Sequence, residues 1–234
     1  MREAGIAAGE LVVEIGAGTG VLTRALAGAG ARVTALELDP ALAAQLHRRF
    51  AANRLVTVVE ADALRWNPPR APFRVFANLP FAKSGAILAH LLGDPRSAPE
   101  RVDVIVQWEF AAKHTAVWPA TLKGTYWGAW HEVSIVHRLA RNAFSPTPAV
   151  DAAVLCFVRR ERPLVPPEEF ARYRNFLFVV FLDNDPLRRS LRSPLQLKRL
   201  APTLGFAPDA RARDLDARQW AALYGALELV RRSS

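Results

Sequence analysis

Seven short apolar runs recur along the first two thirds of the chain, and their spacing limits the fold more than any other feature. They are LVVEIG (11–16), RVTALEL (32–38), LVTVVEA (55–61), RVFANLP (74–80), VDVIVQW (102–108), EVSIVHRL (132–139) and AAVLCFVRR (152–160). The first ones are nearly continuous in apolar character, as expected of parallel strands covered on both faces. Between them lie segments of helical type: VLTRALAGAG after the first run, PALAAQLHRRF after the second and KSGAILAHLL after the fourth. Asp39 is placed to cap the second of these, with Pro40 at its first helical position. Alternating strand and helix predicts a doubly wound α/β sheet. The last two runs are joined by ARNAFSPTPAVD, rich in turn formers, which suits an antiparallel pair better than another helical crossover.

After Arg160 the character changes. ERPLVPPEE reads as a linker, and FARYRNFLFVVFL, SPLQLKRLAPTLGF and DARQWAALYGALELV all carry helical periodicity. The sequence therefore predicts an α/β domain over 1–160 and a small helical domain over 161–234. With 234 residues, 51% of them hydrophobic, the chain can bury one substantial core and a second small one. No apolar run approaches the roughly 18 residues that span a bilayer, and the start lacks a basic-then-apolar signal pattern. The single cysteine, Cys156, lies in an apolar run and reads as a buried structural thiol. The scattered histidines offer no zinc spacing. The expectation is a cytoplasmic protein without metal, monomeric by default. A net charge of +9 favours a polyanionic partner through counterion release, although a GC-rich genome, which inflates arginine everywhere, gives the same excess.

The first strand runs into EIGAGTG (14–20), where Gly16, Gly18 and Gly20 let the backbone turn sharply and approach a ligand. NAD enzymes place a glycine loop at the same point. Here, however, the spacing is G-x-G-x-G, and Val21 stands where the dinucleotide fingerprint has its third glycine. Glu14 before the loop would repel a pyrophosphate but suits the cationic methionine end of S-adenosyl-L-methionine (SAM). Glu37 ends the second strand, placed to accept from both ribose hydroxyls, and Asp62 follows the third, placed to accept from an adenine amine. An acid near the end of each of three successive strands points to one shared cleft.

Asn78-Leu79-Pro80-Phe81 closes the fourth run and carries the reaction chemistry. An exocyclic adenine N6 is a poor nucleophile because its lone pair is delocalised into the ring. The Asn78 side-chain oxygen and the Leu79 carbonyl can accept its two N–H bonds and draw the nitrogen toward tetrahedral geometry. Pro80 fixes φ beside that carbonyl, and Phe81 offers a face for the extruded base. No strong general base is required, since the nitrogen becomes acidic once alkylated. Positioning and dipoles supply the catalysis.

EIGAGTG, Glu37, Asp62, NLPF and FSPTPAVDAAVL (144–155) stand in the order seen in the rRNA adenine N6-dimethyltransferases, and the resemblance covers nearly the whole chain. That superfamily includes KsgA-like small-subunit enzymes and the erythromycin-resistance (Erm) enzymes. The resemblance implies a class I SAM-dependent methyltransferase fold, a Rossmann-like, seven-stranded, mostly parallel sheet with a small all-helical C-terminal domain. It implies that Gly16, Gly18, Glu37, Asp62 and Asn78 contact SAM or lie beside it. Asn78, Leu79 and Phe81 would hold the target base, with Phe144 approaching from another side. QWEFAAKHTAVWPATLKGTYWGAWHE, PLRRSLR and DARQWAALY resemble the Erm branch. The implied substrate is then one adenine in the peptidyl-transferase loop of 23S rRNA, whose methylation blocks macrolide, lincosamide and streptogramin B drugs. The alternatives are a KsgA-like enzyme and a catalytically silent RNA-binding or ribosome-assembly protein of the same fold. The family's N-terminal element, with a Gln-Asn-Phe stretch that closes over SAM, has no match here, and weaker SAM affinity than in a full-length relative is expected.

Basic residues mark an RNA surface. Between Pro186 and Arg199 there are five basic residues and no acidic one, including Arg188, Arg189 and Arg192. Arg159 and Arg160 end the last strand, and Lys113, Lys123, Arg138 and Arg141 fall in segments around the cleft. All are candidates for holding phosphates.

Overall fold

The computed structural model describes residues 5–144, 147–182, 186–190 and 194–232. The strands are β1 (Leu11–Ile15), β2 (Arg32–Glu37), β3 (Val56–Glu60), β4 (Arg74–Asn78), β5 (Arg101–Gln107), β6 (His131–Leu139) and β7 (Ala152–Arg159). The helices are α1 (Val21–Gly28), α2 (Pro40–Phe50), α3 (Ser84–Leu91), α4 (Trp108–Thr115), α5 (Leu122–Gly128), α6 (Phe170–Leu182), α7 (Leu187–Ser190), α8 (Pro194–Thr203) and α9 (Ala217–Arg232). All seven apolar runs become strands of one sheet in the order β3-β2-β1-β4-β5-β7-β6. The pairs β1–β2, β2–β3, β1–β4 and β4–β5 are parallel, whereas β7 runs antiparallel to β5 from Arg101↔Val158 to Gln107↔Ala152. β6 and β7, joined by the short 140–151 connection, are neighbours.

The chain forms two compact units, and they do not follow a single cut at residue 160. One comprises Met1–Gly93, Ser97–Trp108 and Ile135–Val158; the other comprises Asp94–Arg96, Glu109–Ser134 and Arg159–Ser234. The last change of unit along the chain falls between Val158 and Arg159. The tryptophan-rich segment, however, groups with the C-terminal helices.

In the first unit Val12, Val13, Val75, Val102 and Val104 are fully buried, which is why β1, β4 and β5 read as continuous apolar runs. Leu26, Leu46 and Phe50 from α1 and α2 cover the β1–β2 part of the sheet. Asp39 caps α2 as expected, accepting from the Ala41 and Leu42 amides at 2.8 and 3.2 Å. A buried charge cluster ties β4 to β5: the Arg74 guanidinium bonds Asp103 at 3.2 Å and Glu10 at 3.3 Å, and Arg101 bonds Asp103 at 2.8 Å.

The second unit is held by aromatic rings. Tyr126 and Trp130 meet edge-on at 4.9 Å, as do Tyr173 and Tyr224 at 5.1 Å, and Phe176 and Phe181 each lie 5.7 Å from Trp220. The indole N–H groups are satisfied, Trp130 by the Val165 carbonyl at 2.8 Å and Trp220 by the Ala212 carbonyl at 3.1 Å. Trp127 and Trp220 are among the largest fully buried side chains, so the tryptophans at 127 and 130 are core here. Trp118 is exposed, with its indole N–H on the Asp214 carbonyl.

Candidate active site

The end of β1 turns into α1 through Gly16, Gly18 and Gly20, all with positive φ (71°, 56° and 78°). Their roles diverge. A Cβ on Gly16 would lie 4.0 Å from the Asn78 carbonyl, so the glycine turn abuts the end of β4. Gly20 instead serves packing: its Cβ would fall 2.7 Å from both Leu46 Cδ2 and Phe50 Cε2 of α2. Of the three glycines expected at a cofactor, Gly20 is thus the one that also seats α1 against α2. The Arg49 guanidinium anchors the loop through the Thr19 carbonyl at 2.6 Å.

Glu37, at the end of β2, is buried and receives three backbone donors: Gly18 N–H at 2.7 Å on Oε2, and Leu38 and Asp39 N–H at 2.8 and 3.0 Å on Oε1. Its carboxylate organises the loop, and Oε2, with a single donor, keeps capacity for one more. Glu14 is only 2% exposed and accepts from the Thr23 hydroxyl at 2.6 Å. Burial pushes its carboxyl from 4.5 up to about 7, against the pull of Thr23, with nearby Glu37 adding a smaller upward push. Glu14, placed among the cofactor residues from the sequence, is thus a buried carboxyl bonded to the first turn of α1. Asp62 accepts from Leu64 N–H at 2.9 Å on Oδ1, which leaves Oδ2 for a ligand.

β4 delivers the four-residue motif. Leu79 buries its side chain to 2% exposure and donates its N–H to the Ile105 carbonyl at 3.2 Å. The Pro80 carbonyl is consumed by Lys83 N–H at 2.9 Å and Ser84 Oγ at 3.1 Å, which starts α3. Among the described residues nothing bonds the Asn78 side-chain amide or the Leu79 carbonyl. Asn78 is exposed and Phe81 half-buried. Two acceptors and a ring face are thus presented side by side, next to the Gly16 turn.

The model of the ribosomal RNA adenine dimethylase family matches residues 2–228. The chain belongs to this family. Mycinamicin-resistance protein MyrB of Micromonospora griseorubida is 36% identical over 217 residues, covering 91% of this chain and 68% of that protein. An rRNA methyltransferase of Streptomyces thermotolerans is 35% identical over 82% of this chain and 64% of that protein, so the match spans about two thirds of the length of these relatives. Ribosomal RNA small subunit methyltransferase A of Rubrobacter xylanophilus is 34% identical, with 94% of this chain and 86% of that protein covered. The crystal structure of the 23S rRNA methyltransferase ErmE aligns with a TM-score of 0.83 at 28% identity, covering 97% of this chain and 94% of that one.

Within this family frame the other expected residues part company. Phe144 is half-buried, following the short helical turn Arg141–Ala143. Arg138 is committed: its Nη2 and Nε bond Asp151 Oδ2 at 2.8 and 3.2 Å, and its guanidinium lies 4.4 Å over the Trp108 ring. It braces β6 against the 140–151 connection, with more than half of its side chain still exposed. Arg141 is exposed, its backbone N–H on Asp151 at 3.3 Å. Arg189 is exposed in the four-residue α7, whereas Arg192 and the Arg188 side chain lie outside the described residues. No group of three or more potential ligands for a metal occurs among the described residues. No described helix is long and apolar enough to cross a membrane.

Leu38 and Val21, to which the sequence assigned no contact, are 54% and 63% exposed beside Glu37 and Gly20. Apolar surface next to an acid at a strand end offers a face for a planar base. The signal was an apolar residue directly after Glu37 at the end of a buried strand. Thr23 was missed as well, because nothing local marks a hydroxyl nine residues on as the partner of Glu14.

Proposed function

We propose that the protein methylates N6 of a specific adenine in ribosomal RNA using SAM, with 23S rRNA as the favoured substrate and resistance to macrolide, lincosamide and streptogramin B drugs as the consequence. The observation that carries the reading is the approach of the Gly16 turn to the Asn78 carbonyl, which sets the cofactor loop beside two unspent acceptors and a ring. The residues present fit SAM: the positive-φ glycines leave a side-chain-free cradle, and Glu37 Oε2 and Asp62 Oδ2 remain to accept from hydroxyl and amine groups. Leu38 supplies apolar surface beside them. When bound, SAM supplies an electrophilic methyl group. Everything else is the work of this chain. Asn78 and Leu79 accept the two N6–H bonds and hold the nitrogen's lone pair out of conjugation. Phe81 stacks on the extruded base, a contact worth roughly 1–3 kcal/mol. Phe144 closes on the base from a second side. Arg141 and Arg189 hold phosphates.

The relatedness to MyrB and ErmE supports the 23S target. The second reading, a small-subunit rRNA substrate, draws on the Rubrobacter relative, which aligns over more of its own length. Both readings are tested by incubating the protein with labelled SAM and naked 23S or 16S rRNA and mapping the modified base. Label in 23S rRNA that is lost in Asn78→Ala and Phe81→Ala is the expected result. Label in 16S rRNA selects the second reading. Wild-type activity in both variants refutes the clamp.

A further inference from the structure

Trp108 and Asp151 together hold the Arg138 guanidinium in one orientation. Its central carbon lies 4.4 Å over the Trp108 ring, so the indole supports one face of the plane. Asp151 Oδ2 fixes the edge, accepting from Nε at 3.2 Å and from Nη2 at 2.8 Å. Asp151 is itself tied down: its carbonyl accepts the Trp108 N–H at 3.0 Å, and its Oδ1 accepts the Arg141 N–H at 3.3 Å. The end of β5, the end of β6 and the start of β7 thus combine to order a side chain that is otherwise among the most mobile on a protein surface.

The Arg138 side chain is nonetheless 58% exposed. No other described residue bonds its Nη1 or stacks on the face turned away from Trp108. Asp151 compensates its charge, which leaves little attraction for a phosphate. What the group offers is a rigid, cationic plane open on one side. Guanidinium planes of this kind take the faces of unpaired nucleobases. Because the side chain is already ordered, little further entropy is lost when a base covers it.

The plane stands on the edge of the sheet that carries the reaction. Asn78 is the register partner of Ile105, and Trp108 follows Ile105 by three residues, roughly 10 Å along the strand at about 3.3 Å per residue. At about 3.4 Å per stacked nucleotide, that reach is some three nucleotides. We propose that a nucleobase within about three positions of the target adenine stacks on the open face of Arg138, sandwiching the guanidinium against Trp108. The subsite rests on the rRNA reading above and gives the enzyme a hold on unpaired RNA around its target. A duplex, whose bases already stack on one another, cannot use it.

The test takes a fragment of whichever rRNA the wild type labels and titrates it, without SAM, against wild type and Arg138→Lys. The fragment is used intact and with an abasic residue at each of the three positions on either side of the target adenine. Lysine keeps the charge and can keep the Asp151 pair but has no plane, so it separates stacking from charge. Arg138→Lys should bind the intact fragment about tenfold more weakly, within the usual worth of one stacked base, with an unchanged slope of log K against log salt. One abasic position should cost wild type a similar factor and cost Arg138→Lys nothing further. A purely structural arginine gives no such position-specific coupling. Wild-type affinity in Arg138→Lys means that charge alone matters there and overturns the proposal, as do abasic losses that are equal in the two proteins at every position. If wild type labels neither rRNA, the rRNA reading fails on that result alone. Single-stranded oligoadenylate then decides the stacking site: binding about tenfold tighter to wild type than to Arg138→Lys sustains it, and equal binding overturns it.

Discussion

Glu14→Gln gives the sharpest test of the site's electrostatics, because it can be read without any ligand. Burial raises the Glu14 carboxyl from 4.5 to about 7. An acid with a higher pKa in the folded chain binds more protons folded than unfolded between those two values. Its contribution to stability is therefore fully present below about 4.5, falls as pH rises and is level above about 7. Each pKa unit is worth 1.36 kcal/mol, so the interval amounts to roughly 3 kcal/mol lost on ionisation. Glutamine keeps an oxygen for the Thr23 hydroxyl and cannot ionise. Urea unfolding from about pH 5 to about pH 8 should show the two proteins converging at the acid end. Glu14→Gln should be the more stable by roughly 3 kcal/mol at the alkaline end. The difference between the curves isolates Glu14 from every other titrating group. Parallel curves would refute the argument. Under the proposed function the stabilised variant should also bind SAM more weakly, since a buried negative charge beneath the loop favours a cationic ligand. That would be a trade of stability for function at one carboxyl.

Gly20→Ala should destabilise the first unit by about 2 kcal/mol in urea unfolding, because it adds a Cβ into Leu46 and Phe50 at a φ of 78°. Wild-type stability would mean that α1 and α2 can part without cost. Cys156 is 3% exposed, and burial, followed by the nearby Asp103 charge, pushes its thiol up to about 11. At about pH 8 roughly one thiol in a thousand is ionised. Thiol reagents should therefore modify it only on global unfolding, and labelling of the native protein would contradict the packing of β7.

The sheet was legible because burial on both faces imposes its own pattern. Every run from LVVEIG to AAVLCFVRR lands on a strand within a residue or two, and the Asp39–Pro40 start of α2 is a local signal that tertiary packing did not override. Membership of the second unit was not legible. Glu109–Ser134 follows β5 directly in sequence, yet its Tyr126 and Trp130 rings pack with Tyr173. That pairing across more than forty residues is a long-range fact no local period encodes. The acids at the strand ends are legible as a group, but the bonds each one makes are not. Glu37 spends three of its acceptor positions on backbone amides, which depends on how the loop folds back. Arg138 illustrates the same limit for charge: a basic residue in a sequence does not disclose an Asp151 thirteen positions later.

What sets the motif after β4 apart is which groups it leaves unspent. The Leu79 N–H goes to Ile105 and the Pro80 carbonyl to Lys83 and Ser84, so the turn is tied at both ends while the carbonyl between them and the Asn78 amide stay open. The Asn78 amide has both an acceptor and donors, and the proposed chemistry needs only the acceptor. Asn78→Ala removes both and should lower kcat by about 10²–10³, the usual cost of losing one preorganised hydrogen bond at a reacting centre. Asn78→Asp keeps an oxygen and adds a charge of the sign that stabilises a developing ammonium. Its single-turnover rate on 23S rRNA should exceed that of Asn78→Ala at equal protein stability. Equal rates in the two variants would mean that Asn78 works through its N–H donors, and that the nitrogen's lone pair is freed by the Leu79 carbonyl alone.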